Sequence, residues 1–260
     1  MDVLIAVPLG FVLGFLIGLT GVGGGALVAP ALYVLLGRPY GEAVALSLAY
    51  SFFTKIVGAV QHLRQGTVLW RITLIYGLIG IPGALLGSWI VYQASAELQR
   101  LFPLIMAGVL LAVAGLLLAE ASMKSLAARP KPFSPRAISG AGLATIAAFQ
   151  LFVGVLLGLT SVGAGSLVIL SMVFLFRMSA REIVGSNIVI ALIMVIPAGF
   201  AHYAAGGVDL RLLGLLLAGS LAGAVLGAKA TMVLPERALK LTIVVLLVAG
   251  AVSTVVKAQL

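Results

Sequence analysis

The chain has 260 residues, 62% of them hydrophobic and 9% charged, with a formal net charge of +9 and no cysteine. Soluble domains carry about 25% charged residues, so this composition excludes a water-soluble fold and points to an integral membrane protein. Disulfides, thiol chemistry and Cys-ligated metals are excluded as well, and the basic residues sit in short loops between apolar runs, as topology signals do, rather than in a nucleic-acid-binding patch.

In chain order the apolar runs predict helices over 3–20, 24–36, 42–63, 68–92 and 97–121, then 140–160, 164–177, 182–203, 208–232 and 236–257. The runs are continuous and lack the strict alternation of an outer-membrane barrel. The first opens MDVLIAVPLG. It has no basic residue ahead of the apolar stretch, so it reads as mature helix and not as a cleavable signal. Crossing a membrane takes about 20 residues. The runs 24–36 and 164–177 are too short for that, and too long to extend their predecessors. Each is expected to be the second arm of a broken or re-entrant helix pair, turning at TGVGGGAL (20–27) and TSVGAGSL (160–167).

Those two stretches belong to a repeat. Sliding the sequence by 140 positions sets GFLIGLTGVGGGALV (14–28) against GVLLGLTSVGAGSLV (154–168), with ten of fifteen residues identical. The same offset pairs Glu42 with Glu182, His62 with His202, Gly66 with Gly206, Val68 with Val208, Arg71 with Arg211, Gly83 with Gly223 and Gly87 with Gly227. The expected organisation is a first membrane repeat over 1–121, a basic, proline-rich linker over 122–139 and a second repeat over 140–260. Each repeat is a broken pair followed by three spans, an odd number, so the copies are expected to be inverted. Inversion puts Arg64, Arg71, Lys124, Arg129, Lys131, Arg136, Arg177, Arg181, Lys229, Arg237 and Lys240 on one face, against Arg38, Arg100, Arg211 and Lys257 on the other, eleven to four. Parallel copies would give eight to seven. The positive-inside rule favours inversion, with 122–136 in the cytoplasm and both termini outside a cell or inner membrane.

Broken backbone at membrane depth survives only where it is buried in protein or lines a wet cavity. Glycine permits the turn and a close ligand approach. The helix that follows presents N–H groups and a positive dipole end, which attract anions. Two such ends, near Gly23, Gly24 and Gly25 and near Gly163, Gly165 and Ser166, with the hydroxyls of Thr20, Thr160, Ser161 and Ser166, make an expected oxyanion cage. Gly10, Gly14, Gly18, Gly219, Gly223 and Gly227, at four-residue spacing, are expected to serve helix packing. GVGGGA also matches a dinucleotide fingerprint, but the strand that this motif needs is missing.

On the helix after the first break, Ser47, Ser51, Thr54 or Lys55, Gly58 and His62 share one face. A lysine inside a span faces a cavity or a partner, so Lys55 is a candidate to neutralise an anion. In the second copy Ser186, Asn187, Gly199 and His202 take part of the same face, and Met194–Val195 replaces Thr54–Lys55. His62 and His202 are candidates for proton coupling or for interfacial anchoring. Gln150 is a weaker candidate for substrate contact, and otherwise for an interhelical hydrogen bond. Trp70, Trp89, Tyr92 and Tyr203 fit an interfacial belt. No cofactor or metal motif stands in the chain, and neither HExxH nor GxSxG occurs, so enzymatic chemistry is not expected.

Gly18 to Gly25 read GLTGVGGG. With Pro30 in the short helix, and a span ending His62, Arg64, Gly66, Val68, Trp70 and Arg71 as HxRxGxVxWR, the chain resembles the TauE/SafE family of sulfite exporters over nearly its whole length. The second copy carries Ser161 for Gly21, Ala164 for Gly24 and no arginine at the position of Arg64. The resemblance implies a membrane transporter of small sulfur-containing anions: sulfite, sulfoacetate, thiosulfate or other organosulfonates. Its partners would then be that anion and the lipid bilayer, with a homo-oligomer compatible. An anion channel and a non-transporting scaffold are the competing readings.

Overall fold

The computed structural model describes residues 2–20, 24–122, 140–163, 165–176, 178, 180–206, 208–231 and 236–259. Every element among them is helical. The first half comprises α1 (Asp2–Thr20), α2 (Gly25–Leu35), α3 (Tyr40–Arg64), α4 (Trp70–Gln93), the single turn α5 (Ala96–Gln99) and α6 (Phe102–Ser122). The second comprises α7 (Ala141–Thr160), α8 (Ser166–Leu175), α9 (Ala180–Ala204), α10 (Leu210–Thr231) and α11 (Glu236–Gln259). Seven helices among the described residues are long and apolar enough to cross a membrane. The short helices α2 and α8 fall where the glycine-rich breaks place them. Arg100 and Leu101 interrupt the predicted 97–121 segment, because the Ser95 hydroxyl accepts the Leu98 N–H and starts a separate turn.

Several repeated residues have local structural reasons. Glu42 and Glu182 sit in the first turns of α3 and α9, where a carboxylate meets the positive end of the helix dipole. Gly66 and Gly206 follow the ends of the same helices at φ +66° and +76°, the left-handed cap that favours glycine. Thr67 N–H then bonds back to the His62 carbonyl at 3.2 Å.

The halves are interwoven, not side by side. α1 lies along α10, and α4 along α7. Glycines make both seams. A Cβ on Gly219, Gly223 or Gly227 would strike the carbonyl oxygens of Val7, Phe11 or Phe15, and one on Gly10 or Gly14 would strike Leu216 or Ser220. Gly83 and Gly87 meet the Leu151 and Val155 carbonyls in the same way, and Gly154 and Gly158 meet those of Gly80 and Ala84. Lipid gives apolar helices no hydrophobic reason to associate, so close backbone approach and its many dispersion contacts hold such seams. The expectation that the spaced glycines serve packing therefore holds, except that the surroundings of Gly18 lie outside the described residues. Between the seams α3 packs on its repeat-mate α9. Leu48 lies against Gly199, Gly58 against Ile188, and Thr67 against Gly185, so the two run in opposite directions.

Candidate functional site

The start of α2 meets the break of the other repeat. A Cβ on Gly25, the first residue of α2, would collide with the backbone oxygen of Ser161, in the break of the other repeat. Only glycine allows this approach. Ser161 holds a left-handed turn (φ 60°) and its N–H bonds to the Leu157 carbonyl at 2.7 Å, which ends α7. Its hydroxyl donates to Ser47 of α3 at 3.0 Å. Thr160 turns back on its own break: its hydroxyl donates to the Leu156 carbonyl at 2.6 Å and accepts the Val162 N–H at 3.1 Å.

At this junction lies a cavity of about 20 Å³, bordered by Gly25, Ser51, Lys55, Ser161, Gly163, Gly165 and Ser166, with Ala26, Leu157, Val162 and Val195 completing the wall. It has room for about one water-sized group. The 140-residue offset pairs Gly25 with Gly165, Ala26 with Ser166 and Lys55 with Val195, so equivalent positions of both repeats line one space. Neither short helix has a side-chain cap at its start. Leu27 and Val28 donate to the Gly24 carbonyl, which leaves the N–H groups of Gly25 and Ala26 without an intrahelical acceptor.

Two polar groups stand out at the wall. Ser51 is buried, and its hydroxyl has no hydrogen-bond partner among the described residues. Elsewhere Thr54, Ser88, Thr160 and Thr254 satisfy theirs on carbonyls of their own helix. Lys55, half-buried and one turn further along α3, has no carboxylate partner among the described residues. An ammonium held in a low-dielectric interior without a counter-ion favours an anion beside it. Apolar Val195 opposite makes the site one-sided, as the Lys55-to-Val195 replacement in sequence indicates.

The remaining candidates fall outside this wall. Gly24 packs on Ser51 and Tyr50 immediately behind it. Ser47 supports Ser161 and does not border the space. Asn187, the repeat-mate of Ser47, lies two turns along α9 from Val195. Gly23 and the surroundings of Thr20 lie outside the described residues, as does Ala164. Neither histidine borders the cavity. His62 bonds through Nδ1 to the Thr67 hydroxyl at 2.9 Å. His202 is fully buried, with Nε2 3.0 Å from the Gly158 carbonyl and Nδ1 2.8 Å from the Tyr92 hydroxyl. A carbonyl only accepts, so Nε2 carries the proton, and Nδ1 of the neutral ring accepts from Tyr92. The link ties α9 to both members of the α4–α7 seam. Tyr92 thus turns inward, whereas Trp70, Trp89 and Tyr203, the other residues expected in the belt, are exposed. The first copy cannot build the same link, because Met232 occupies the position equivalent to Tyr92.

Many apolar spans around a polar, cation-bearing cavity at two helix breaks are the build of a membrane transporter. The chain belongs to the TauE/SafE sulfite exporter family, whose model, "Sulfite exporter TauE/SafE", matches residues 6–254. It is 34% identical over 222 residues to the probable membrane transporter protein YjnA of Bacillus subtilis (strain 168), spanning 85% of this chain and 87% of that one. It is 29% identical over 230 residues to the probable membrane transporter protein YdhB of the same organism, spanning 88% and 91%. A probable membrane transporter protein of Xylella fastidiosa (strain Temecula1) is 28% identical over 189 residues, 72% of this chain and 69% of that one. No solved structure matches.

Proposed function

We propose that the protein is a secondary transporter that exports small sulfur-containing anions, sulfite, sulfoacetate or another organosulfonate, bound where the two broken helices meet. The observation that carries this reading is Lys55: a cation without a carboxylate partner, beside an unpartnered Ser51 hydroxyl, at a cavity bordered by the N-terminal ends of both short helices. A sulfonate or sulfite oxygen accepts from the ammonium, from Ser51 and Ser166, and from the N–H groups at the start of α2. The family membership supports the sulfur-containing class.

The interweaving supports a rocking mechanism. Each seam joins a helix of one repeat to a helix of the other, and the equivalent helices α3 and α9 run in opposite directions. That is the relation expected of inverted repeats with the basic linker in the cytoplasm and both termini outside. Rocking of one seam against the other then opens the cavity to one face at a time. The cavity is smaller than a sulfite, so binding parts its walls. Among the described residues α8 leans on α9 and α7, whereas α2 is wedged between α3 and α11. Export of a monoanion is favoured by about 2.3 kcal/mol per 100 mV in a negative-inside cell, so proton coupling through His62 or His202 is not required.

Counterflow of labelled sulfite and sulfoacetate into proteoliposomes tests the reading. Saturable uptake is expected, and Lys55→Gln should lower it about tenfold or more, the worth of one charge-assisted hydrogen bond. Uptake of neither anion, or uptake indifferent to Lys55, contradicts it.

A further inference from the structure

Among the described residues, three buried side-chain polar atoms lack a hydrogen-bond partner: Ser51 Oγ, Thr73 Oγ1 and Gln150 Oε1. The cavity accounts for the first. The other two lie in the core formed by α4, α7, α8 and α9. Thr73 and Gln150 are fully buried, and each unpaired group there costs free energy that a folded chain seldom leaves uncompensated. Gln150 shares a face of α7 with Leu157, two turns on, which borders the cavity. Its Nε2 reaches only the Met194 sulfur, at 3.4 Å, a weak acceptor. That sulfur lies against Gly80, one turn beyond Tyr76 on α4. The buried Tyr76 hydroxyl stands 3.4 Å from that of Ser171, which is five residues beyond Ser166 on α8. Thr73 follows one turn before Tyr76. The polar groups thus descend from the cavity towards the start of α4.

The opposite half of the molecule shows that this ladder is not a requirement of the fold. Shifting by 140 residues turns Gln150 into Gly10, Thr73 into Leu213, Tyr76 into Leu216 and Ser171 into Ala31. Leu213 and Leu216 belong to an apolar core against which Ala31 packs. One polar pair does occur in that half, the Tyr50 and Ser220 hydroxyls, and it is closed on itself. Packing alone would serve both halves with the same residues.

We propose that Thr73, Tyr76, Gln150 and Ser171 form a second station for the transported anion, between the central cavity and the membrane face at which α4 begins. This rests on the anion reading given above. The Thr73 and Tyr76 hydroxyls and the Gln150 Nε2, which rests on a weak sulfur acceptor, replace part of the anion's hydration, as neutral donors can, while Ser171 gives its proton to the Val168 carbonyl at 2.8 Å and stands beside Tyr76. No cation stands among them, so the station holds the anion more weakly than Lys55 does and passes it on. It makes the two routes unequal: one is lined by hydrogen-bonding groups, whereas the other is apolar apart from the Tyr50 and Ser220 hydroxyls, which are paired with each other, and opens only by helix movement.

The absence of native cysteine makes the station directly testable, because an introduced thiol is the only one in the protein. Thr73→Cys and Gln150→Cys should react with a sulfonate-bearing methanethiosulfonate reagent about tenfold faster or more than Leu213→Cys and Leu216→Cys, their counterparts on the apolar side. Labelling of Thr73→Cys and Gln150→Cys no faster than of those two overturns the proposal. Labelling requires no bound anion, so a dry station and an inactive central cavity give different results. Gln150→Leu supplies the second readout. Counterflow should fall about tenfold while anion-induced thermal stabilisation persists; unchanged counterflow overturns the station.

Discussion

The two histidines occupy equivalent positions in the repeat and do different work. His202 has both ring nitrogens engaged inside the protein, on Tyr92 and on the Gly158 carbonyl. His62 bonds only within its own helix end, to Thr67. Removing His202 leaves the half-buried Tyr92 hydroxyl and the buried Gly158 carbonyl unpaired, so His202→Ala should destabilise the protein by about 1–3 kcal/mol. His62→Ala should cost under about 1 kcal/mol, as hydrogen bonds in membrane proteins commonly do. Thermal unfolding of the two purified variants reads the difference directly, and equal losses would contradict the assignment. Sequence made the histidines visible as a pair but could not separate them, because the separating residues, Tyr92 and Met232, lie far along the chain. Lys55 was more legible: a lysine within an apolar helix is conspicuous by its cost, and Val195 at the equivalent position already indicated a one-sided site.

At the scale of elements, the glycine seams decide how the helices pair. Gly223 and Gly214 lie on the same helix, α10. A Cβ on Gly223 meets the Phe11 backbone, whereas one on Gly214 meets nothing within 4 Å. Gly223→Ala should therefore destabilise by about 1–3 kcal/mol through overpacking. Gly214→Ala should be neutral or stabilising by up to about 1 kcal/mol, since alanine loses less entropy in a helix. Opposite signs are expected in thermal unfolding; losses of similar size would contradict the seam. The helices themselves were legible from apolar length, and the short α2 and α8 from glycine clusters followed by runs too short to span. The extra turn α5 was not, because its start depends on one Ser95 hydroxyl within an otherwise continuous apolar segment. Nor could the repeat reveal that α1 pairs with α10 and α4 with α7. Self-similarity shows what is equivalent, not what touches.

At the scale of the molecule, the exchange of helices between repeats brings the start of α2 to the break between α7 and α8 and faces them with the middle of α3. The repeated break announced a cage in the sequence; the contact between Gly25 and Ser161, and the polar ladder on one side alone, arise only when the repeats interweave. The central claim is that this junction binds a sulfur-containing anion. Its most direct test is thermal stabilisation of the purified protein by sulfite, sulfoacetate, taurine, thiosulfate, sulfate, phosphate and chloride, each beside the Lys55→Gln variant. A ligand at 100 times its dissociation constant adds about 2.7 kcal/mol. The account predicts a selective shift with sulfite or a sulfonate that Lys55→Gln abolishes. A shift with none of these anions, or one that survives the loss of Lys55, would contradict it.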